Sequence, residues 1–507
     1  MNKEYKLLMH VFIMTFILGL FAYGYAFTCY TPAHDGIMTI THDQGWQTSI
    51  GRGLMQVYVK FRGPVDSPWF IGILSLCYTA VAAYLTVKSL GINDELWKIF
   101  TIVSIYVLNI AYVLSATVFM YLWDIYAMAL LLSVLAFYVF VKCNNKILGM
   151  LVASITLSFS MGLYQSYFAV TVGLFIIFFI IETIKEEKSL KQQMVLAAEE
   201  ILILVVGAIM YGVTLKVIQK VTNVIPTDSY NSVSNISNLS FASVVSSIPD
   251  CYKEFFGFFF KVHPYSNKVF SFVNICLAIG AVVYYAFVFR GLKDNVNRVL
   301  LGTAIVAFPL GVNCIYILSG GMIHNLMIFS YQIFYILMLL PVLCNDFEFM
   351  KNRRMLQKRI IVVLLMVLSF VIIRFSNGIL YYQKLVGEGT RASVTNILYD
   401  IERNPVFEPD NMRILMIGRP GEALSQDYEM RNLYERYNVI SGSTITYDSV
   451  FEGYMHYILG RNYKFEYSEE DIAEVMKTEE YKMLATYPEE GYIGVIGDFL
   501  VIKFDED

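Results

Sequence analysis

The sequence predicts a polytopic α-helical membrane protein of about eleven transmembrane helices, followed by a small extracytoplasmic α/β domain. Three observations carry that fold class. Hydrophobic residues make up 57% of the 507 and mean hydropathy is +0.55. Only 16% are charged, against roughly 25% in an average soluble domain, too few to cover the surface of a soluble chain this long. The apolar residues also fall in long blocks, so most of the chain is one membrane unit. A net charge of −4 excludes bulk affinity for nucleic acid.

A helix crosses ~30 Å of hydrocarbon with about 20 residues, because every backbone amide must be satisfied within the segment. Blocks of that length predict spans near 7–29, 68–88, 98–117, 124–141, 147–164, 168–184, 198–217, 269–289, 299–318, 323–343 and 360–378. The first block ends in YTPAHDG and lacks the short core and small-residue cleavage site of a signal peptide. It is expected to stay attached as the first span. The seven cysteines have neither paired nor metal-type spacing and read as small hydrophobes.

Lysine and arginine set the orientation. The N-terminus and every second connection together contain seventeen of them, from Lys3 and Lys6 to the run Lys351, Arg353, Arg354, Lys358 and Arg359. The opposite turns near 118–123, 165–167 and 319–322 contain none. By the positive-inside rule the N-terminus is cytoplasmic. An odd number of spans then puts the C-terminus outside.

Three non-membrane pieces follow on the outer side: a loop over 30–67, a second large loop over 218–268, and residues 379–507. The last is long enough to fold alone. In it RILMIG (Arg413–Gly418) reads as a buried strand, YIGVIGDFLVIKF as a closing hairpin turning at Gly497-Asp498, and Ser468–Lys482 as a capped acidic helix.

The first outer loop holds most of the candidate chemistry. It carries three carboxylates (Asp35, Asp43, Asp66), the His-Asp pairs at His34 and His42, and three cations (Arg52, Lys60, Arg62). At about 100° per residue, Trp46, Ile50, Leu54, Val57, Tyr58 and Phe61 fall on one side of a helix, with Arg52, Gln56 and Lys60 opposite. That pattern predicts an interfacial amphipathic helix that offers Arg52 and Lys60 to a lipid phosphate; snorkelling against phospholipid is the plainer reading of the same cations. Displacing a sugar from a lipid phosphate needs a base for the acceptor proton. It needs no general acid, because a phosphate monoester leaves as an anion. One carboxylate with cations suffices, and Asp35 and Asp43 are the candidates; capping of loop turns is the structural alternative for each. Two histidines eight apart, without a third ligand, make a weak metal signal. No cofactor is expected, and a divalent metal is unsupported.

Further polar residues map to the outer ends of later spans: Asp124 in YLWDIY, Tyr164 and Gln165 in MGLYQSY, and His324 with Asn325. Polar groups at that depth face a cavity or a partner. Asn313, inside a span, is expected to bond between helices.

At these residues the chain resembles the Gtr-type bacterial membrane glucosyltransferases. The similar features are the acidic motif at Asp35, Trp46 with the Gly51-Arg52 pair, DSPWFIGILSL at the start of span two, Asp124 and Tyr126, and the GLYQSY turn. The resemblance implies a GT-C-like architecture, with residues 1–378 as the transmembrane glycosyltransferase domain and 379–507 as the extracytoplasmic domain. It implies an inverting transferase that moves a hexose, typically glucose, from undecaprenyl phosphate to a cell-surface polysaccharide or related envelope acceptor. The setting it implies is the outer face of a bacterial plasma membrane. Asp35 matches the acidic motif and takes the role of general base, with Asp43 in reserve. His34, Trp46, Arg52, Lys60, Arg62, Asp124, Tyr164, Gln165 and His324 are the expected substrate-binding set. His34 stands where many members carry a second Asp, which argues against a two-carboxylate or metal-dependent mechanism. A transporter or flippase of lipid-linked saccharides, or a polymerase, is the competing reading. A transporter should place polar residues near the bilayer midplane, whereas here they gather at the outer ends.

Overall fold

The computed structural model describes residues 3–40, 45–92, 94–227, 240–262, 267–344, 354–433 and 442–505. Among them nine helices are long and apolar enough to cross a membrane, and up to ten if a helix pair bent by 48° is one span. The protein is therefore a multi-pass helical membrane protein. Its chain divides into two compact units. One comprises residues 1–27, 43–116 and 122–377, and the other residues 28–42, 117–121 and 378–507.

Local chemistry sets the ends of the membrane helices. Asn145, Asn267 and Asp294 each accept a backbone N–H at a helix start, and Ser189 with Gln192 forms a capping box ahead of Leu190–Thr222. Such a cap contributes about 1 kcal/mol, since the first amides of a helix have no partner within it.

Three expected spans are interrupted, one of them, 299–318, at Asn313 between the helices Asn295–Val312 and Cys314–Leu318. The block 98–117 forms the helices Leu96–Val107 and Ile110–Thr117 with a bend of 48° between them. Asn109, at the break, accepts from the Ala111 amide at 2.8 Å and donates to the Phe329 carbonyl at 3.3 Å. A polar side chain thus replaces the lost backbone bonds, as a break inside a membrane requires. The block 323–343 is not one long helix. Two 3-10 turns, Asn325–Met327 and Phe329–Gln332, precede the short helix Ile333–Leu343. The Leu343 carbonyl at its end accepts from Lys98 Nζ at 2.7 Å, and Lys98 is 1% exposed. A buried ammonium here serves as a C-terminal cap.

The last long helix also departs from expectation. It does not end near 378 but runs over Arg354–Arg403. From Gly378 onward its buried side chains, among them Val394, Ile397 and Ile401, line the core of the second unit. Gly387 lies in this stretch because a Cβ there would collide with the Thr31 side chain.

The second unit contains a three-stranded sheet. Strand β1 (Arg413–Ile417) pairs in parallel with β3 (Phe499–Lys503), and β2 (Ile493–Ile496) pairs antiparallel with β3 across Gly497. The acidic helix expected over 468–482 is instead two short helices, Glu469–Val475 and Glu479–Met483, because Thr478 caps a new start. Residues 28–42, at the start of the expected outer loop, belong to this unit. The short helix His34–Met38 inserts Ile37, fully buried, among Val394, Ile397, Phe451 and Met455. Ile37→Ala should destabilise this unit by roughly 2–5 kcal/mol. Earlier protease cleavage of the C-terminal unit, with membrane insertion unchanged, is the expected readout.

Candidate active site

The loop from Gly45 to Ser67 belongs to the first unit. The single amphipathic helix expected from Trp46 to Phe61 is broken in two, Gly45–Ser49 and Gly53–Arg62. The break falls at Gly51, whose φ of 99° favours glycine. Carbonyls released by the break find partners on other helices. Gln165 Nε2 donates to the Ile50 carbonyl at 3.2 Å, the Tyr211 hydroxyl donates to the Gly51 carbonyl at 2.8 Å, and Gln219 Nε2 reaches the Thr48 carbonyl at 3.2 Å. Of the predicted apolar stripe, Trp46, Val57 and Phe61 are exposed and Ile50 is buried, while Gln56 of the opposite side turns inward with Met55 and Val59.

The kink aims Arg52. Its Nη1 donates to Gln47 Oε1 at 2.7 Å, and its guanidinium lies 4.5 Å from the centre of the Tyr164 ring. Tyr164 in turn packs on Tyr126 at 4.6 Å. Arg52 Nε is buried and has no hydrogen-bond partner among the described residues. An unbonded buried donor is costly, on the order of 1–3 kcal/mol. Three expected site residues, Arg52, Tyr164 and Gln165, are thus brought to one corner. Gln47 and Tyr211 complete it.

A second cluster closes the loop. Arg62 is buried and donates to Asp124 Oδ1 at 2.8 Å, with Asp66 Oδ1 at 3.9 Å from its other nitrogen. The Tyr58 hydroxyl donates to Asp124 Oδ2 at 2.9 Å and lies 3.3 Å from the Tyr78 hydroxyl. The Ile125 amide supplies a further donor to Asp124 at 3.0 Å. Arg62 and Asp124, each expected to meet substrate, are here bound to one another. Burial, reinforced by the Asp124 charge, pushes the Asp66 carboxyl up to about 7 although Arg62 opposes it.

In the second unit Asp35 sits in the first turn of His34–Met38. Its Oδ1 lies 3.6 Å from His34 Nε2, and the two side chains are 38% and 16% exposed. Tyr447 comes from a distant stretch, and its ring stands edge-on to His34 at 6.4 Å.

The remaining expected residues stand apart. Trp46 is 58% exposed and Lys60 is exposed. His324 caps a 3-10 turn by accepting from the Leu326 amide at 3.3 Å. Asp43 lies outside the described residues. Asn313 bonds between helices as expected, donating to the Cys251 carbonyl at 2.8 Å. Among the described residues no group of three His, Cys, Asp or Glu is placed to hold a metal ion. Sequence reasoning missed Gln47, Tyr58, Tyr211 and Tyr447 as site residues. A glutamine or tyrosine in an aromatic-rich chain carries no signal until its partner is known.

A multi-pass helical scaffold with a kinked, charge-rich first loop is the class of protein these features define. Comparison with protein families gives the particular member: residues 24–345 match the model of Glucosyl transferase GtrII, and the chain belongs to that family. It is a glucosyltransferase. No curated protein and no solved structure matches the chain.

The elevated Asp66 carboxyl has a consequence for stability. A carboxyl raised in the folded state binds more protons than the unfolded chain between about pH 4 and 7. The stability it contributes is therefore full below pH 4 and lost as pH rises through 7, on the order of 4 kcal/mol in all. Thermal melts of purified protein at pH 5 and pH 8 should show a smaller drop for Asp66→Asn than for the natural protein.

Proposed function

We propose that the protein is an inverting, polyprenyl-phosphate-hexose-dependent transferase. It moves glucose from undecaprenyl phosphate to a cell-surface polysaccharide or a related envelope acceptor. The setting is the plasma membrane of a bacterium, with the N-terminus cytoplasmic and the reaction on the outer face. Cations at alternate connections support that sidedness. Membership in a glucosyltransferase family favours this enzyme over a transporter or flippase.

The observation that carries the donor class is Arg52. A guanidinium stacked on Tyr164, with one buried N–H unbonded, is suited to an anionic oxygen. A lipid phosphate supplies such an oxygen in a membrane protein. Gln47 fixes the side chain from its far end, so little rotamer freedom remains to be lost when phosphate binds. Arg62 acts differently in this reading: held by Asp124 and Asp66, it fixes the loop and does not touch the donor.

Asp35 is the base. The acceptor hydroxyl attacks the anomeric carbon, its proton passes to the Asp35 carboxylate, and the bond from that carbon to the phosphate oxygen breaks. The electron pair leaves with undecaprenyl phosphate. Partial exposure leaves Asp35 reachable by a sugar hydroxyl. Exposed Trp46 and Lys60 remain candidates for contact with the lipid surface.

Two measurements test these roles with radiolabelled undecaprenyl-phosphate-glucose and envelope glycan. Asp35→Asn should insert normally yet lose ~10²–10⁴-fold in kcat; full turnover would remove Asp35 from the chemistry. Arg52→Lys, which keeps the charge but loses the fork, should raise the donor KM by about tenfold or more and spare the acceptor KM.

A further inference from the structure

Two sets of contacts hold Arg52. Within the loop, Gln47 takes both ends of the residue: its carbonyl accepts the Arg52 amide at 2.8 Å and its Oε1 accepts Nη1 at 2.7 Å. From other helices, the Tyr211 hydroxyl donates to the Gly51 carbonyl at 2.8 Å and accepts from Gln165 Nε2 at 3.1 Å. The same Gln165 amide reaches the Ile50 carbonyl at 3.2 Å. A phenol has one proton to give. Since Gln165 is a donor here, that proton is committed to Gly51. Tyr211 is 5% exposed and comes from the helix Leu190–Thr222, 160 residues along the chain from Gly51. Gln165 directly follows Tyr164, whose ring carries the Arg52 guanidinium at 4.5 Å. One turn thus supports the Arg52 side chain through Tyr164 and the peptide before it through Gln165 and Tyr211.

The flanking parts of the loop are docked by other groups. Gln219 Nε2 donates to the Thr48 carbonyl at 3.2 Å, and the Thr227 amide donates to the Ser49 carbonyl at 3.2 Å. A Cβ at Gly53 would lie 3.2 Å from the Ile218 side chain, so that position is closely packed as well. Loss of the Tyr211 hydroxyl therefore leaves both flanks in place and releases the peptide at Gly51, where φ is 99°. We propose that Tyr211, supported by Gln165, is a positioning residue for Arg52 and through it for the donor phosphate. The inference rests on the reading of Arg52 as the phosphate ligand. A planar fork of N–H groups meets an anionic oxygen over a narrow range of angles, and rotation of the preceding peptide swings the whole side chain. Gln165, expected to touch substrate, acts in this reading through Tyr211.

The test uses the full-length protein and the same transfer assay. Tyr211→Phe keeps the ring and removes the hydroxyl. It should raise the donor KM by about 3- to 10-fold, the worth of one hydrogen bond, and spare the acceptor KM. In an Arg52→Lys background the same substitution should change the donor KM by less than about twofold, because its effect passes through the guanidinium. Gln165→Met, close in size but without a donor, should behave alike in both backgrounds, and it carries the test if Tyr211→Phe does not reach the membrane. A purely structural role would lower the amount of folded protein and shift the donor KM equally with or without Arg52. That equal shift, or a natural donor KM in the single variants, overturns the proposal even if Arg52→Lys is impaired. A natural donor KM in Arg52→Lys instead overturns the phosphate reading, and the positioning role with it.

Discussion

A guanidinium buried between two carboxylates holds the second half of the first loop in place. Removing a charge from water costs several kcal/mol, and only close, well-bonded partners offset that cost. Arg62 has Asp124 at 2.8 Å and Asp66 at 3.9 Å. Asp124 has Tyr58 and the Ile125 amide as further donors. The cluster ties the helix Gly53–Arg62 to the start of Met120–Lys142, and Tyr78 links it to Pro68–Ser89. With that end fixed, the break at Gly51 sets where Arg52 points.

The two parts of the loop are anchored by different physics. Residues 28–42 are held by apolar burial, with Ile37 inside the core of the second unit. Residues 45–67 are held by hydrogen bonds and charge: Gln165, Tyr211 and Gln219 take the carbonyls of the kink, and Asp124 takes Arg62. The family match ends at residue 345, whereas the core that Ile37 joins includes Val394, Ile397, Phe451 and Met455. The segment with the acidic motif therefore depends on sequence beyond the matched stretch.

Polar side chains stand at several breaks or ends of the membrane helices, where backbone groups lose their partners within the helix. Asn109 takes the Ala111 amide at the 48° bend and Lys98 takes the Leu343 carbonyl at the end of Ile333–Leu343, while Asn313, between Asn295–Val312 and Cys314–Leu318, bonds across to the Cys251 carbonyl. These residues look anomalous in apolar blocks, and a functional reading of them is tempting. Their bonds show that helix breaks account for them.

Composition and block length determined the membrane class and the position of most membrane helices, because hydrocarbon imposes length and apolarity on each crossing regardless of what it packs against; the family resemblance rested on short motifs such as Gly51-Arg52 and GLYQSY. The strand Arg413–Ile417 and the hairpin across Gly497 were legible for a similar reason: alternation and turn chemistry are local. Tertiary structure alone decided the rest. Periodicity gave one helix from Trp46 to Phe61, but Gly51 broke it once distant Gln165 and Tyr211 could take its carbonyls. Arg62 and Asp124 read as two ligands, and space made them a pair. Nothing near residue 447 in the chain announces the ring contact with His34, which lies more than four hundred residues away. Which donor meets which acceptor depends on packing between segments, and one-dimensional patterns do not contain that distance.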